Sequence, residues 1–181
     1  IIAGDTNTKN KLNRILIKVF DKKIFLQKEI KKQTKNMRLS LQNNYSKKFD
    51  PENIKYGRGG FQELELLVQM GMLLMNIGYR KNNQSPKKLI SCLFKVGFFD
   101  KEEYKNITEI YELFFYYQQV SCIMFFETDQ KKILSSHGVD YLIKNLSKSV
   151  NYNKEMDLND LNLLLKQKSQ YIGKLFDRKL E

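Results

Sequence analysis

Apolar residues recur along this chain at three- and four-residue spacing, and that period predicts helices joined by short polar segments. Asp5 and Thr6 are N-capping residue types, and Leu12, Ile15, Leu16, Val19 and Phe20 follow them at helical spacing as a first amphipathic helix. A second helix begins around Lys22, places Leu26, Ile30, Met37 and Leu41 on one side and lysines on the other, and ends at Asn43-Asn44. The segment from Tyr45 to Tyr56 holds Pro51 and no period, so it reads as a loop. A central helix runs from about Phe61 to Gly78, and a linker covers Lys81 to Gln84. Ser85-Pro86 opens a short helix that continues to about Val96 and stops at Gly97. Asp100-Lys101-Glu102-Glu103 resembles a capping box and starts the longest helix, to about Thr128. A weaker helix spans Val139 to Val150, and Asp157 caps a last one carrying Leu161, Leu164, Leu165, Ile172 and Phe176. No segment alternates with a strand period, so the fold class is all-α, a single helical bundle of roughly six or seven helices over residues 1–181.

The central helix departs from simple amphipathicity. Phe61, Leu64, Leu66, Leu67, Val68, Met70, Met72, Leu73, Leu74, Met75 and Ile77 cover most of its circumference, while Gln62, Glu65, Gln69 and Asn76 fall in one narrow sector. A buried carboxylate or amide without a partner is costly, so this stripe faces either polar groups of a neighbouring element or a wet cleft.

Composition narrows the function classes. The 181 residues carry a formal charge of +12, with a pI near 9.5. The lysines, however, are spread along the chain and mostly accompanied by acids, outside the Lys28 to Lys48 region. Lys, Asn and Ile are abundant together, as an AT-rich coding sequence would produce, so the charge alone does not point to nucleic acid. The lysine face of the second helix reads as solvated surface, with an acidic partner as the alternative. Cys92 and Cys122 form no CxxC pair and His137 is the one histidine, which argues against a zinc site and for reduced thiols in a cytoplasmic protein. No apolar run reaches the length of a membrane span.

Candidate chemistry concentrates at Gly57-Arg58-Gly59-Gly60. Glycines before a helix N-terminus let backbone N–H groups approach an anion, and Lys55 and Arg58 add positive charge. The spacing is neither that of a P-loop nor that of a dinucleotide fingerprint, and it fits a tight turn into a buried helix equally well, with Glu63 favourable to the helix dipole.

Arg58-Gly59-Gly60-Phe61-Gln62-Glu63-Leu64-Glu65-Leu66-Leu67-Val68-Gln69 resembles a signature of the glutamine synthetase adenylyltransferases and, more distantly, of the PII uridylyltransferases. Met37-Arg38 and the Phe49 to Lys55 lead-in are similar to the same family, and Ile1 to Gly4 resembles the segment by which such chains leave their catalytic domain. The resemblance implies a helical domain following the C-terminal nucleotidyltransferase domain of a bacterial enzyme of nitrogen metabolism. It implies ATP and Mg2+ as cofactors, transfer of AMP to a tyrosine of glutamine synthetase as the parent reaction, and glutamine synthetase, the PII signal protein and the adjacent nucleotidyltransferase domain as partners. Lys55, Arg58, Gly59 and Gly60 would then close over the nucleotide phosphates, and the Gln62, Glu65 and Gln69 stripe would orient that loop or touch the nucleotide and metal, with Glu63 a further candidate. The Gly-Ser turn and Asp-x-Asp pair that hold the metal in that family have no counterpart here, so the isolated chain is expected to be inert, with no catalytic or metal-ligating residue of its own. The alternative is a non-catalytic helical interaction module whose glycine turn is structural.

Overall fold

The computed structural model describes residues 5–22, 26–45, 54–77, 85–124, 143–144 and 157–181. Within them the chain forms six helices and no strand: α1 (Thr6–Lys22), α2 (Gln27–Asn44), α3 (Phe61–Leu74), α4 (Pro86–Lys95), α5 (Lys101–Met124) and α6 (Leu158–Leu180). The all-α bundle expected from the apolar period is the fold observed.

Helix α3 is the hub, packing against α2, α4, α5 and α6. Its near-continuous apolar circumference explains why. Leu64 and Leu67 are completely buried, together with Ile90 and Leu93 of α4, Ile107, Ile110 and Phe114 of α5, and Leu165, Ile172 and Phe176 of α6. Each such side chain contributes about 1.5–3 kcal/mol relative to an exposed one, so the core is concentrated around one helix.

Local chemistry fixes the helix ends. Asp100 and Glu103 form the expected capping box, with Glu103 N donating to Asp100 Oδ1 at 2.7 Å and Asp100 N to Glu103 Oε2 at 2.9 Å. Asp157 caps α6 in the same way, accepting from Asp160 N at 2.7 Å. At the start of α1, Asp5 accepts from the backbone of Asn7 and Thr8 and from the Thr8 hydroxyl. These bonds hold the Asp5 carboxyl below its ordinary pKa.

Two boundaries differ from the sequence reading, while the stop at Gly97 agrees with it. Helix α3 ends at Leu74, short of Gly78, because Asn76 takes the left-handed conformation (φ 48°) and terminates it. Asn76 N donates to Leu73 O and Ile77 N to Met72 O, the bond pair of a Schellman stop, and Ile77 and Met72 are both buried. Gly97 (φ 78°) ends α4 with the same pair of bonds. Helix α2 starts at Gln27 rather than near Lys22, and its buried line is Ile30, Thr34 and Arg38. Leu26 and Met37, expected on the buried side, are 76% and 55% exposed. Leu12 and Ile15 of α1 are exposed as well. The helix expected over Val139 to Val150, together with Cys122's side chain and His137, lies outside the described residues apart from Ile143 and Lys144, which are helical.

Candidate functional site

Two carboxylates on α3 organise the surroundings of the glycine turn. Two residues apart on a helix means about 200° of rotation, so Glu63 and Glu65 leave α3 on opposite sides. Glu63 is 2% exposed and turns toward α2, where Arg38 Nε lies 3.1 Å from its Oε2 and Gln42 Nε2 donates to its Oε1 at 2.8 Å. The Nε–Oε2 contact is an ion pair without hydrogen-bond alignment.

Arg38, itself 6% exposed, extends the network to α6. It pairs with Asp177, donates to Gly173 O at 3.2 Å, and rests on the Phe176 ring at 4.5 Å. Burial works against the guanidinium charge, but Glu63 and Asp177 more than offset it and leave Arg38's pKa raised. Asp177 also pairs with Arg58, at 3.3 Å. One buried arginine thus ties α2, α3 and α6 together.

Glu65 faces the other way, into a groove of about 350 Å³ between α2 and α3 lined by Met37, Ser40, Leu41, Gln62, Glu65, Leu66 and Gln69. The polar stripe therefore meets a cleft, with Glu65 and Gln62 half-buried in it and Gln69 exposed. Asn76 does not belong to this stripe, since it terminates the helix. Burial raises the Glu65 carboxyl above its ordinary pKa, and the charge of Lys55 partly opposes the rise. Lys55 Nζ also lies 4.9 Å from the centre of the Tyr56 ring, which in turn stacks on Tyr45 at 4.2 Å. The Tyr111 phenol of α5 is held above its ordinary pKa first by burial and then by the Glu65 charge.

The glycine turn is engaged by its own chain. Gly59 has φ 72°, and a Cβ there would sit 2.0 Å from Ser169 O of α6. A Cβ on Gly60 would sit 2.2 Å from Ile54 O. Ser169 Oγ donates to Arg58 O at 2.6 Å and latches the turn to α6. The first backbone donors of α3 are also used: Phe61 N bonds Ile54 O at 2.9 Å and Gln62 N bonds Lys55 O at 3.0 Å. These bonds satisfy N–H groups that a helix start otherwise leaves open to an anion.

The sequence-predicted residues consequently separate. Lys55, Glu65 and Gln69 converge with Gln62 on the α2–α3 side. Arg58 is half-exposed and joins Asp177 on the α6 side. Glu63 is committed to Arg38 and Gln42, while Gly59 and Gly60 are buried backbone. Sequence reasoning missed Asp177, Gln42 and the part played by Arg38. A signal existed, because Arg38 falls on one helical line with Ile30 and Thr34, and an arginine on a buried line requires an anion.

Among the described residues, no group of His, Cys, Asp and Glu is placed to hold a metal ion, and no helix is long and apolar enough to cross a membrane. Compared with known proteins, the chain matches no family model, no curated protein and no solved structure.

Proposed function

We propose that this chain is the helical domain of a nucleotidyltransferase of the glutamine synthetase adenylyltransferase type, turning the Gln62, Glu65 and Gln69 stripe toward nucleotide bound by an adjoining catalytic domain. The observation that carries the reading is the placement of the stripe. On a helix buried on its other faces, half-buried Glu65 and Gln62 and exposed Gln69 line an open groove beside Lys55. A fold gains nothing by desolvating a carboxylate unless a ligand or another domain uses it.

In this reading Lys55 and the half-exposed Arg58 supply charge for the phosphates of ATP. The amides of Gln62 and Gln69 and the carboxylate of Glu65 orient the nucleotide, the loop or both. Magnesium would be held by the carboxylates of the catalytic domain. Gly59, Gly60 and Glu63 hold the loop at the start of α3. The domain would position, and the catalytic domain would perform the transfer of AMP to a tyrosine of glutamine synthetase.

A second reading rests on the turn itself. Its first two helix donors are bonded to Ile54 and Lys55, and its glycines are filled against α6 and Ile54, as a purely structural turn in an interaction module would be. Glu65→Gln in the complete gene product separates the two. Loss of a positioning contact predicts a fall in AMP transfer of about 10²-fold, with helical circular dichroism unchanged. Activity equal to wild type removes the ligand role and leaves the interaction module. A Gly-Ser turn and Asp-x-Asp pair encoded upstream of Ile1 are the expected companions of the first reading.

A further inference from the structure

A second groove lies on the opposite side of α2, and of its lining residues only Arg58 enters the reading above. It measures about 500 Å³ and runs between α2 and α6, lined by Lys31, Lys32, Lys35, Leu39, Arg58 and Asp177 among others. Arg38 is paired there with Glu63 and Asp177, and Arg58 shares the Asp177 carboxylate. Lys31, Lys32 and Lys35 are not: among the described residues none of them enters an ion pair with an acid. Beside these free cations Leu39 stands 47% exposed, and Leu180 of α6 is half-buried across the groove.

We propose that this groove docks an acidic, leucine-bearing segment of a partner protein. Lys31 and Lys35 are one helical turn apart, about 6 Å along the axis, a spacing that carboxylates one turn apart on a partner helix would match. Leu39 and Leu180 provide an apolar anchor inside the basic rim, the arrangement of protein recognition sites. Asp177 and Glu181 also line the groove. Their charge repels a continuous phosphate backbone but tolerates a segment whose acids face only the lysine wall. Among the described residues no aromatic ring lines the groove to stack on a base. The charge complementarity therefore selects an acidic protein segment over a nucleic acid.

The test uses the whole 181-residue chain and a fluorescein-labelled synthetic peptide in which glutamate pairs alternate with leucine, followed by anisotropy at moderate salt. The peptide binds, and Lys31→Glu with Lys32→Glu and Lys35→Glu weakens it about tenfold or more. Reversal of Lys9, Lys11 and Lys105, which are exposed elsewhere and give the same change in net charge, shifts binding by no more than about twofold. Leu39→Ser, which removes no charge, weakens binding severalfold. All these side chains are exposed or half-exposed, so circular dichroism should stay at wild type. Absence of peptide binding, equal losses in the two triple variants, or indifference to Leu39→Ser each overturns the proposal. Tighter binding of a labelled oligothymidine through the same three lysines also overturns it and assigns the groove to nucleic acid.

Discussion

Glu63 and Glu65 are the same residue type, one and a half angstroms per residue apart along one helix axis, and they lead opposite lives. Glu63 is sealed against Arg38 and Gln42. Glu65 sits half-buried at an open groove, with Lys55 as the cation that counters its desolvation. The contrast teaches how a polar group within an apolar helix is to be judged. A carboxylate sealed by partners from a neighbouring helix belongs to the scaffold, whereas one that is desolvated at the edge of a cleft is available for something else.

The largest effect should come from breaking the scaffold side. Arg38→Ala leaves Glu63 buried beside an empty space and Asp177 with Arg58 alone, and it should cost about 3–5 kcal/mol in urea unfolding. Pairing Arg38→Met with Glu63→Leu removes both charges and should recover most of that loss, since no orphaned ion remains. If the single and the double variant are equally unstable, the pair is not what makes Glu63 tolerable in the core.

Next in size is the turn that sets the phase of both carboxylates. Gly59→Ala combines a left-handed backbone with a Cβ 2.0 Å from Ser169 O. The conformation alone costs about 1–2 kcal/mol, and the overlap with α6 adds to it. Gly97→Ala is the control, with φ 78° but open space around it, and it should lose only about 1 kcal/mol. Equal losses at the two sites would show that the approach to Ser169 is not tight. A loss at Gly59 that also lowers activity would show that the turn's position, rather than its openness to anions, is what the function needs.

The fold was legible because its signals are local. The caps at Asp5, Asp100 and Asp157, the stop at Gly97 and the apolar circumference of α3 all depend on residues within a turn or two of one another. The groove met by Gln62, Glu65 and Gln69 was half legible: the stripe showed in projection, but its facing a cleft depends on how α2 packs. Asp177 was not legible, since its partners Arg38 and Arg58 lie well over a hundred positions away in sequence. The glycine turn was ambiguous for a similar reason. Only the approach of α6 shows that Ser169 fills the space beside Gly59. Met37 and Leu26 were misjudged because α2 buries Ile30, Thr34 and Arg38, a line that pattern reading discounts when it contains an arginine.

The smallest effect should be the most specific, and it concerns Glu65 itself. Burial raises its carboxyl above the ordinary value of 4.5, against the opposing charge of Lys55. From 4.5 up to the raised value the folded chain holds the proton more tightly than the unfolded one, so this group's contribution to stability falls as pH rises through that window. Above it the penalty of the desolvated charge is fully present, and below 4.5 it is absent. Because the side chain is half in water, screening limits the penalty to about a few tenths of a kcal/mol. Glu65→Gln should therefore leave the protein as stable as wild type at neutral pH, or slightly more so, and should remove this component of the pH dependence in urea midpoints taken across the window. A variant that keeps the wild-type slope would mean that the charge is not desolvated at the groove. A variant that loses the slope, keeps its stability and, in the complete gene product, loses the proposed AMP transfer would give Glu65 the signature of a carboxylate kept for function at the expense of the fold, which Glu63, sealed against Arg38 and Gln42, could not show.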